Sequence, residues 1–410
     1  MRAAMTQPMP PQAPPRACLA LLYFTEAMQC IGCTLISVGI FFYTKRHLGW
    51  TLRENFLLAL GEGAVYIAGA LLARRLAGLF GRRNVLMAVN ALGAMALLPA
   101  AAMPQPAVMT LTVIAYMFLS AISWPIIESL VSWRADAHEM SRRLGIYNMV
   151  WSLLSTVTAA GAGAIIDLWR PGLFVLPAAM HLIGVAALHL GRMSGEDAPA
   201  PVHSGPAPEH ALLARRRLAM WLSRISLPAT YVVVYSMMAM MPMLPVMQKL
   251  PLTLATPAAS VWLLFRWLAF LVLAATVWWH TRPYLLLWSS AAMLVAFLGV
   301  VLPGTSGAED ILRPLAAMML AQALLGLAIG MIYSGSLYFG MVLSDGSTEH
   351  GGYHEALIGL GQMLGPGAGA LTQWLFPGDL HAAIVAAATV IALAVAATAA
   401  AAVRAGRART

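Results

Sequence analysis

The sequence predicts an all-α polytopic membrane protein with twelve transmembrane helices in two six-helix pseudo-repeats. Three observations carry this. The first is composition: of 410 residues, 60% are hydrophobic and 10% charged, against about 25% charged in soluble domains. So few charges cannot cover a water-soluble fold of this length. The second is arrangement. The apolar residues fall in uninterrupted blocks of the ~20 residues that cross ~30 Å of hydrocarbon, which also excludes intrinsic disorder. The third is an internal match between the two halves of the chain. The net charge of +9 does not point to nucleic acid, because the basic residues sit in short clusters between apolar blocks, where they orient spans. The three cysteines, Cys18, Cys30 and Cys33, are too few for a disulfide framework.

Residues 1–16 are polar and proline-rich and are expected to form a cytoplasmic tail. The first apolar block, 17–43, is longer than a signal-peptide core and lacks a small-residue cleavage site, so it is expected to be a retained span. Breaks at charge, proline or glycine place the others at 54–77, 84–103, 107–133, 141–167, 171–190, 218–246, 257–280, 283–303, 311–342, 353–376 and 379–403. The longest polar stretch inside the chain, 191–217, is rich in Pro, Ala, Ser and charge and ends in Arg215, Arg216 and Arg217. It reads as a flexible cytoplasmic linker. It separates an N-terminal bundle, 17–190, from a C-terminal bundle, 218–403, with a second tail at 404–410.

Lysine and arginine set the orientation. With the N-terminus inside, the cytoplasmic segments hold 18 of the 25 basic residues and the opposite side six, the last being Arg266 within a span. That bias puts both termini in the cytoplasm of a plasma (inner) membrane. Lys45, Arg46 and Arg53 in the first external loop are a local exception. The internal match lies in the fifth and eleventh helices. Gly145-Ile-Tyr147-Asn148, continuing to Gly161-Ala-Gly163-Ala164, aligns with Gly351-Gly-Tyr353-His354, continuing to Gly367-Ala-Gly369-Ala370, at one offset of 206 residues. Parallel repeats of this kind place a substrate site between the halves, near mid-membrane.

Six plus six helices, a basic central linker and inside termini resemble the major facilitator superfamily over the whole chain. That family carries G-x-L-A-D-R-x-G-R-R between its second and third helices. Here the stretch reads Arg74-Arg-Leu76-Ala77-Gly78-Leu79-Phe-Gly81-Arg82-Arg83. Leu76, Ala77, Gly81, Arg82 and Arg83 fit; the first glycine and the Asp-Arg pair are replaced, and with them the family's helix latch. Gly359-x-Gly361-x-x-x-Gly365-Pro366-Gly367-x-Gly369 in the eleventh helix looks like a glycine-proline element of the family's antiporters, moved to the second half. Gly361, Gly365, Pro366 and Gly369 read as packing and hinge positions. The resemblance implies a secondary transporter, monomeric, that moves a small solute by alternating access, with a proton as the expected coupling ion and uptake or efflux left open.

Ionisable residues within spans cost about 2.5–3.5 kcal/mol to insert and default to functional candidates. Four stand out: Glu26, Glu62, Glu128 and Arg266. Glu26 shares a helical face with Cys30, Cys33 and Ser37, a stripe suited to a wet wall or to an interhelical hydrogen bond. Arg266 lies ten residues into an apolar block, between Phe265 and Trp267. It is expected either to hold an anionic substrate group in bidentate fashion or to pair with a buried carboxylate. Polar stripes add Asn148, Ser152 and Ser155; Tyr231 and Tyr235; Tyr333, Ser334 and Tyr338; and His354, Glu355 and Gln362. Such groups line a solute pathway or bond helices together.

No cofactor is expected. Met237 and Met241, with Cys30 and Cys33, offer soft ligands for Cu(I), so a copper importer of the same superfamily is the alternative reading. Its companion His-x-x-x-Met is absent from the eighth helix, and 26 methionines in the chain make such runs common. A membrane sensor would add a soluble domain, for which no segment is long enough. A membrane-embedded enzyme would need a nucleophile or metal set, and neither H-E-x-x-H nor G-x-S-x-G occurs. No G-x-x-x-x-G-K-[ST] loop occurs either, so gradients rather than that route to ATP would supply energy.

Overall fold

The computed structural model describes residues 16–192, 210–344 and 346–407. The expected N-terminal tail before Arg16, most of the expected linker and residues 408–410 lie outside the described residues. All secondary structure among the described residues is helical. The long helices are α1 (Arg16–Tyr43), α2 (Leu52–Phe80), α3 (Arg82–Ala102), α4 (Pro106–Ser132), α5 (Ala137–Leu168) and α6 (Gly172–Leu190). The second half holds α7 (His210–Met240), α8 (Leu252–Ala275), α9 (Leu285–Gly304), α10 (Leu312–Leu343), α11 (Thr348–Leu375) and α12 (Leu380–Arg407). Twelve alternating helices put the start of α1 and the end of α12 on one face, called here the terminal face; the other is the far face.

Among the described residues, eleven helices are long and apolar enough to cross a membrane. The twelfth, α11, has the length, at 28 residues, but seven glycines and a polar first turn dilute its hydropathy. Its glycines pack it against α2 and α7. The lipid-facing surface is apolar: Leu111, Leu168 and Trp374 are 70%, 86% and 75% exposed, as a bilayer allows and water does not.

Two helices differ from expectation. α8 begins five residues earlier than 257 and is interrupted at Ser260, between Leu252–Ala259 and Val261–Ala275. Ser260, at φ −104° and ψ 1°, leaves the helical region between the two segments. Gln322 of α10 braces the break, donating to the Ala258 carbonyl at 2.8 Å and accepting from the Trp262 N–H at 3.4 Å. The segment after Ala275 is a separate 3-10 turn, Trp278–Thr281. α11 begins at Thr348, capped by the Ser347 side chain, so His354 and Glu355 sit two turns inside the helix rather than at its start.

The halves meet along two seams, α2 on α11 and α5 on α8. The internal repeat maps α5 onto α11 and α2 onto α8, so one pair of elements is used twice. Gly163 and Gly369, equivalent by the repeat, make the close approaches near the far face. The Gly163 N–H donates to Thr256 Oγ1 at 3.0 Å, and Gly369 lies on the Phe56 ring. The glycines of α11 divide between faces: Gly352, Gly359 and Gly369 meet α2, whereas Gly361 and Gly365 meet Pro228, Val232 and Ser236 of α7. A Cβ at Gly361 would fall on the Pro228 carbonyl oxygen. Gly361→Ala is therefore expected to destabilise the protein by about 1–3 kcal/mol, read as a lower melting temperature in detergent. An unchanged melting temperature would contradict this packing.

Candidate functional site

A cavity of ≈ 120 Å³ lies between the halves. α1, α2, α4 and α5 line it from one half and α7, α8, α10 and α11 from the other. Its wall is aromatic and polar. Trp124, Trp151, Trp262 and Tyr147 join the expected Tyr231, Tyr235, Tyr333, Arg266 and Glu355, together with Cys30 and Cys33. Contacts between the halves lie on either side of it. Asn55 donates to the Ala239 carbonyl at 3.4 Å near the far face, and Arg74 pairs with Glu349 at 2.9 Å at the terminal face.

Arg266 is 5% exposed. Among the described residues no carboxylate lies within ion-pair distance of it. Its guanidinium carbon sits 4.3 Å from the Trp151 ring centroid and 4.8 Å from that of Trp262. Trp262 comes from the preceding turn of the same helix, and Trp151 from α5 across the seam. Cation–π contacts contribute about 0.5–2 kcal/mol each, against about 2.5–3.5 kcal/mol to insert an arginine. Stacking alone thus offsets much of the insertion cost, while Nε keeps no hydrogen-bond partner.

Opposite, on α11, Glu355 accepts a hydrogen bond from Tyr66 of α2 at 2.5 Å. Behind it lie Glu128 of α4 and His354; one ligand atom from each of the three falls within 4.8 Å of the others. His354 Nδ1 bonds Ser336 Oγ at 2.9 Å, and its Nε2 lies 3.9 Å from Glu355. Both Glu128 oxygens are buried without a protein donor. Gly351 leaves the room: a Cβ there would lie 3.1 Å from Glu128.

The remaining expected residues are spread out. Glu62 is fully buried on the α2–α11 seam and accepts from Gln362 at 3.1 Å. Glu26 is fully buried behind the cavity wall, both its oxygens without a partner. Asn148 accepts from the Trp151 indole at 3.2 Å and thereby holds the ring over Arg266. It also lines a second, smaller cavity with Tyr338 toward the terminal face. Tyr338 stacks on His280 of the α8–α9 connection at 4.1 Å. Burial, with the nearby Arg216 charge adding, pushes the His280 imidazole down to about 4, so it is neutral at physiological pH.

Gly81 is the single residue between α2 and α3, at φ 83°, a backbone that favours glycine. Arg83 reaches across to the Leu188 carbonyl at the end of α6, at 2.7 Å, and Arg82 is the first residue of α3. Arg143 is 1% exposed; it donates to the Val131 and Trp133 carbonyls at the end of α4 and pairs with Glu139 at 2.8 Å. Three basic residues of the far face have local partners. Arg46 meets Asp167 at 3.8 Å, Arg170 donates to the Tyr43 hydroxyl at 2.9 Å, and Lys249 bonds the Gly307 and Ala308 carbonyls.

Met237 and Met241 are buried in the apolar core of α7 and its final turn and do not line the cavity. Cys30 bonds Ser155 Oγ at 3.0 Å. Among the described residues, the His, Cys and carboxylate group with metal-ligand spacing is Glu128, His354 and Glu355, which contains neither cysteine.

Sequence reasoning missed Trp151, Trp262 and Tyr66. Trp262 was legible, since it stands four residues before Arg266 on one helical face. Trp151 and Tyr66 reach their partners only through contacts between distant helices.

A model of the family described as "Major Facilitator Superfamily" matches residues 22–366. No curated protein matches the chain. Among solved structures, the crystal structure of nucleoside transporter NupG aligns at a TM-score of 0.65 and 14% identity, covering 93% of this chain and 98% of that one. The D323A mutant of NupG aligns at 0.63 and 14% identity, covering 95% and 99%. At that identity the likeness is one of fold.

Proposed function

The chain belongs to the major facilitator superfamily, a family of multi-pass membrane transporters, and we propose that it is a proton-coupled secondary transporter moving a small solute through the central cavity by alternating access. One observation carries this reading: a polar, aromatic cavity whose wall is drawn from both halves, holding a stacked cation on one side and a carboxylate on the other. Because the wall is shared, rocking one half against the other opens the cavity to one face as it closes to the other.

Coupling is assigned to Glu128, His354 and Glu355. Glu355 belongs both to the cavity wall and to this cluster, so solute and proton meet at one side chain. Tyr66, on the other half, reads its state through their hydrogen bond. The excess of arginine on the terminal face supports cytoplasmic termini; a plasma membrane and a monomeric state complete the reading. Glu62 with Gln362 and Arg74 with Glu349 serve the seam rather than the solute.

The test is uptake by purified protein in proteoliposomes, across a panel of small solutes, with and without an imposed proton gradient. A transported solute is expected to accumulate only with the gradient. Folded protein that moves no solute of the panel under either condition would overturn the transport reading.

A further inference from the structure

We infer that the solute is a small monocarboxylate, held by its carboxylate on the edge of Arg266. This rests on the reading of the central cavity as the transport site. The faces and the edge of the guanidinium are in different circumstances. Its faces are covered by Trp151 and Trp262 at 4.3 and 4.8 Å. Its edge carries the hydrogen-bond donors, and Nε is buried with no partner. A buried arginine whose edge faces a carboxylate already has its anion. This one, 5% exposed and without a carboxylate in ion-pair range among the described residues, has charge and donors to give. A carboxylate set side-on against Nε and one terminal nitrogen satisfies both donors at once, with a planar fit that a lone alcohol or carbonyl lacks.

A further feature favours an anion at this point. Tyr231 and Tyr333 line the same cavity, and their hydroxyl groups are donors of the kind a carboxylate's second lone pairs accept. Glu355 stands on a different helix and is engaged by Tyr66, so the anion has one place to sit.

Size narrows the class. A cavity of about 150 Å³ holds one benzene molecule, and this one is ≈ 120 Å³. It admits a short aliphatic acid, whereas a single-ring acid would need the cavity to widen. The aromatic wall suits a flat or apolar body behind the carboxylate.

The experiment measures binding to the full-length purified protein in nanodiscs, so it does not depend on flux. Acetate, lactate, benzoate and phenylacetate are compared with their amides by thermal shift and by tryptophan fluorescence, since two indoles stack on the binding group. At least one acid is expected to bind at least about tenfold tighter than its own amide, the scale of one hydrogen bond to a charged group. Arg266→Gln should erase that preference, and Arg266→Lys should weaken acid binding while keeping its sign. The acid-to-amide comparison in the unaltered protein decides the matter even if either variant folds poorly. Amides binding as well as acids throughout the panel, or a preference that survives in folded Arg266→Gln, would overturn the inference. The outcomes separate the two claims. Tight acid binding without any flux sinks the transport reading alone. Gradient-driven flux of a neutral or cationic solute, with no acid preferred, sinks the carboxylate alone.

Discussion

Glu355→Gln is expected to abolish uphill accumulation of the solute while sparing its exchange across the membrane. Glutamine keeps the volume of the side chain and an oxygen that accepts from Tyr66, so the cavity wall and the bond at 2.5 Å survive. What it loses is the ability to take up and release a proton. A pH difference of about 1.7 units is worth about 2.3 kcal/mol per proton, which sustains roughly fiftyfold accumulation. In proteoliposomes that ratio should fall to about one in the variant, while counterflow of labelled against unlabelled solute continues. Glu128→Gln should behave alike, because Glu128 is the carboxyl neighbour with which Glu355 shares the cluster. A Glu355→Gln protein that still concentrates solute would remove the proposed coupling site.

The second large effect is mechanical. Gly63 of α2 faces the backbone of α11: a Cβ there would fall 2.5 Å from the Met363 nitrogen and 2.8 Å from the Gln362 carbonyl carbon. Backbone cannot rotate away as a side chain can. Gly63→Val must therefore part the seam, at a cost of about 3 kcal/mol. That lowers the population of the closed state roughly a hundredfold, and transport should fall with it. Glu62 and Gln362, bonded beside this point at 3.1 Å, would separate as well. Gly78 of the same helix is the control, since a Cβ there meets nothing within 4 Å. Gly78→Ala should transport as the unaltered protein does. Normal transport by Gly63→Val would mean that the seam need not close.

The helices were legible in the sequence because hydropathy is local; every expected span has its helix. The break in α8 was not, because Pro257 at the start of an apolar block reads equally as a beginning and as an interruption. Only Gln322, from another helix, shows that the chain is braced there. The site was legible to the extent that charge in a membrane is costly. Arg266 and Glu128 stood out one by one, and Glu355 only within a polar stripe of the eleventh helix. Their grouping did not. Tyr66 and Glu355 are 289 residues apart, and Glu62 and Gln362 are 300 apart, so nothing in the local pattern pairs them. The 206-residue repeat related α5 to α11, yet it did not carry side-chain roles across. Tyr147 is buried in the cavity wall, while its counterpart Tyr353 is 46% exposed on the outer surface. A repeat preserves how backbones approach, as Gly163 and Gly369 show, more faithfully than what their side chains do.

The most direct test is the distance across the α2–α11 seam at both faces of one protein population. Spin labels at the exposed Arg53 and Phe376 report the far face, and at the exposed Arg75 and Tyr353 the terminal face. Measured by double electron–electron resonance in nanodiscs over a range of pH, the two pairs should each show a short and a long distance. Conditions that favour the long distance at one face should favour the short distance at the other. Pairs that lengthen together, or that each hold a single distance under every condition, would contradict alternating access around the central cavity.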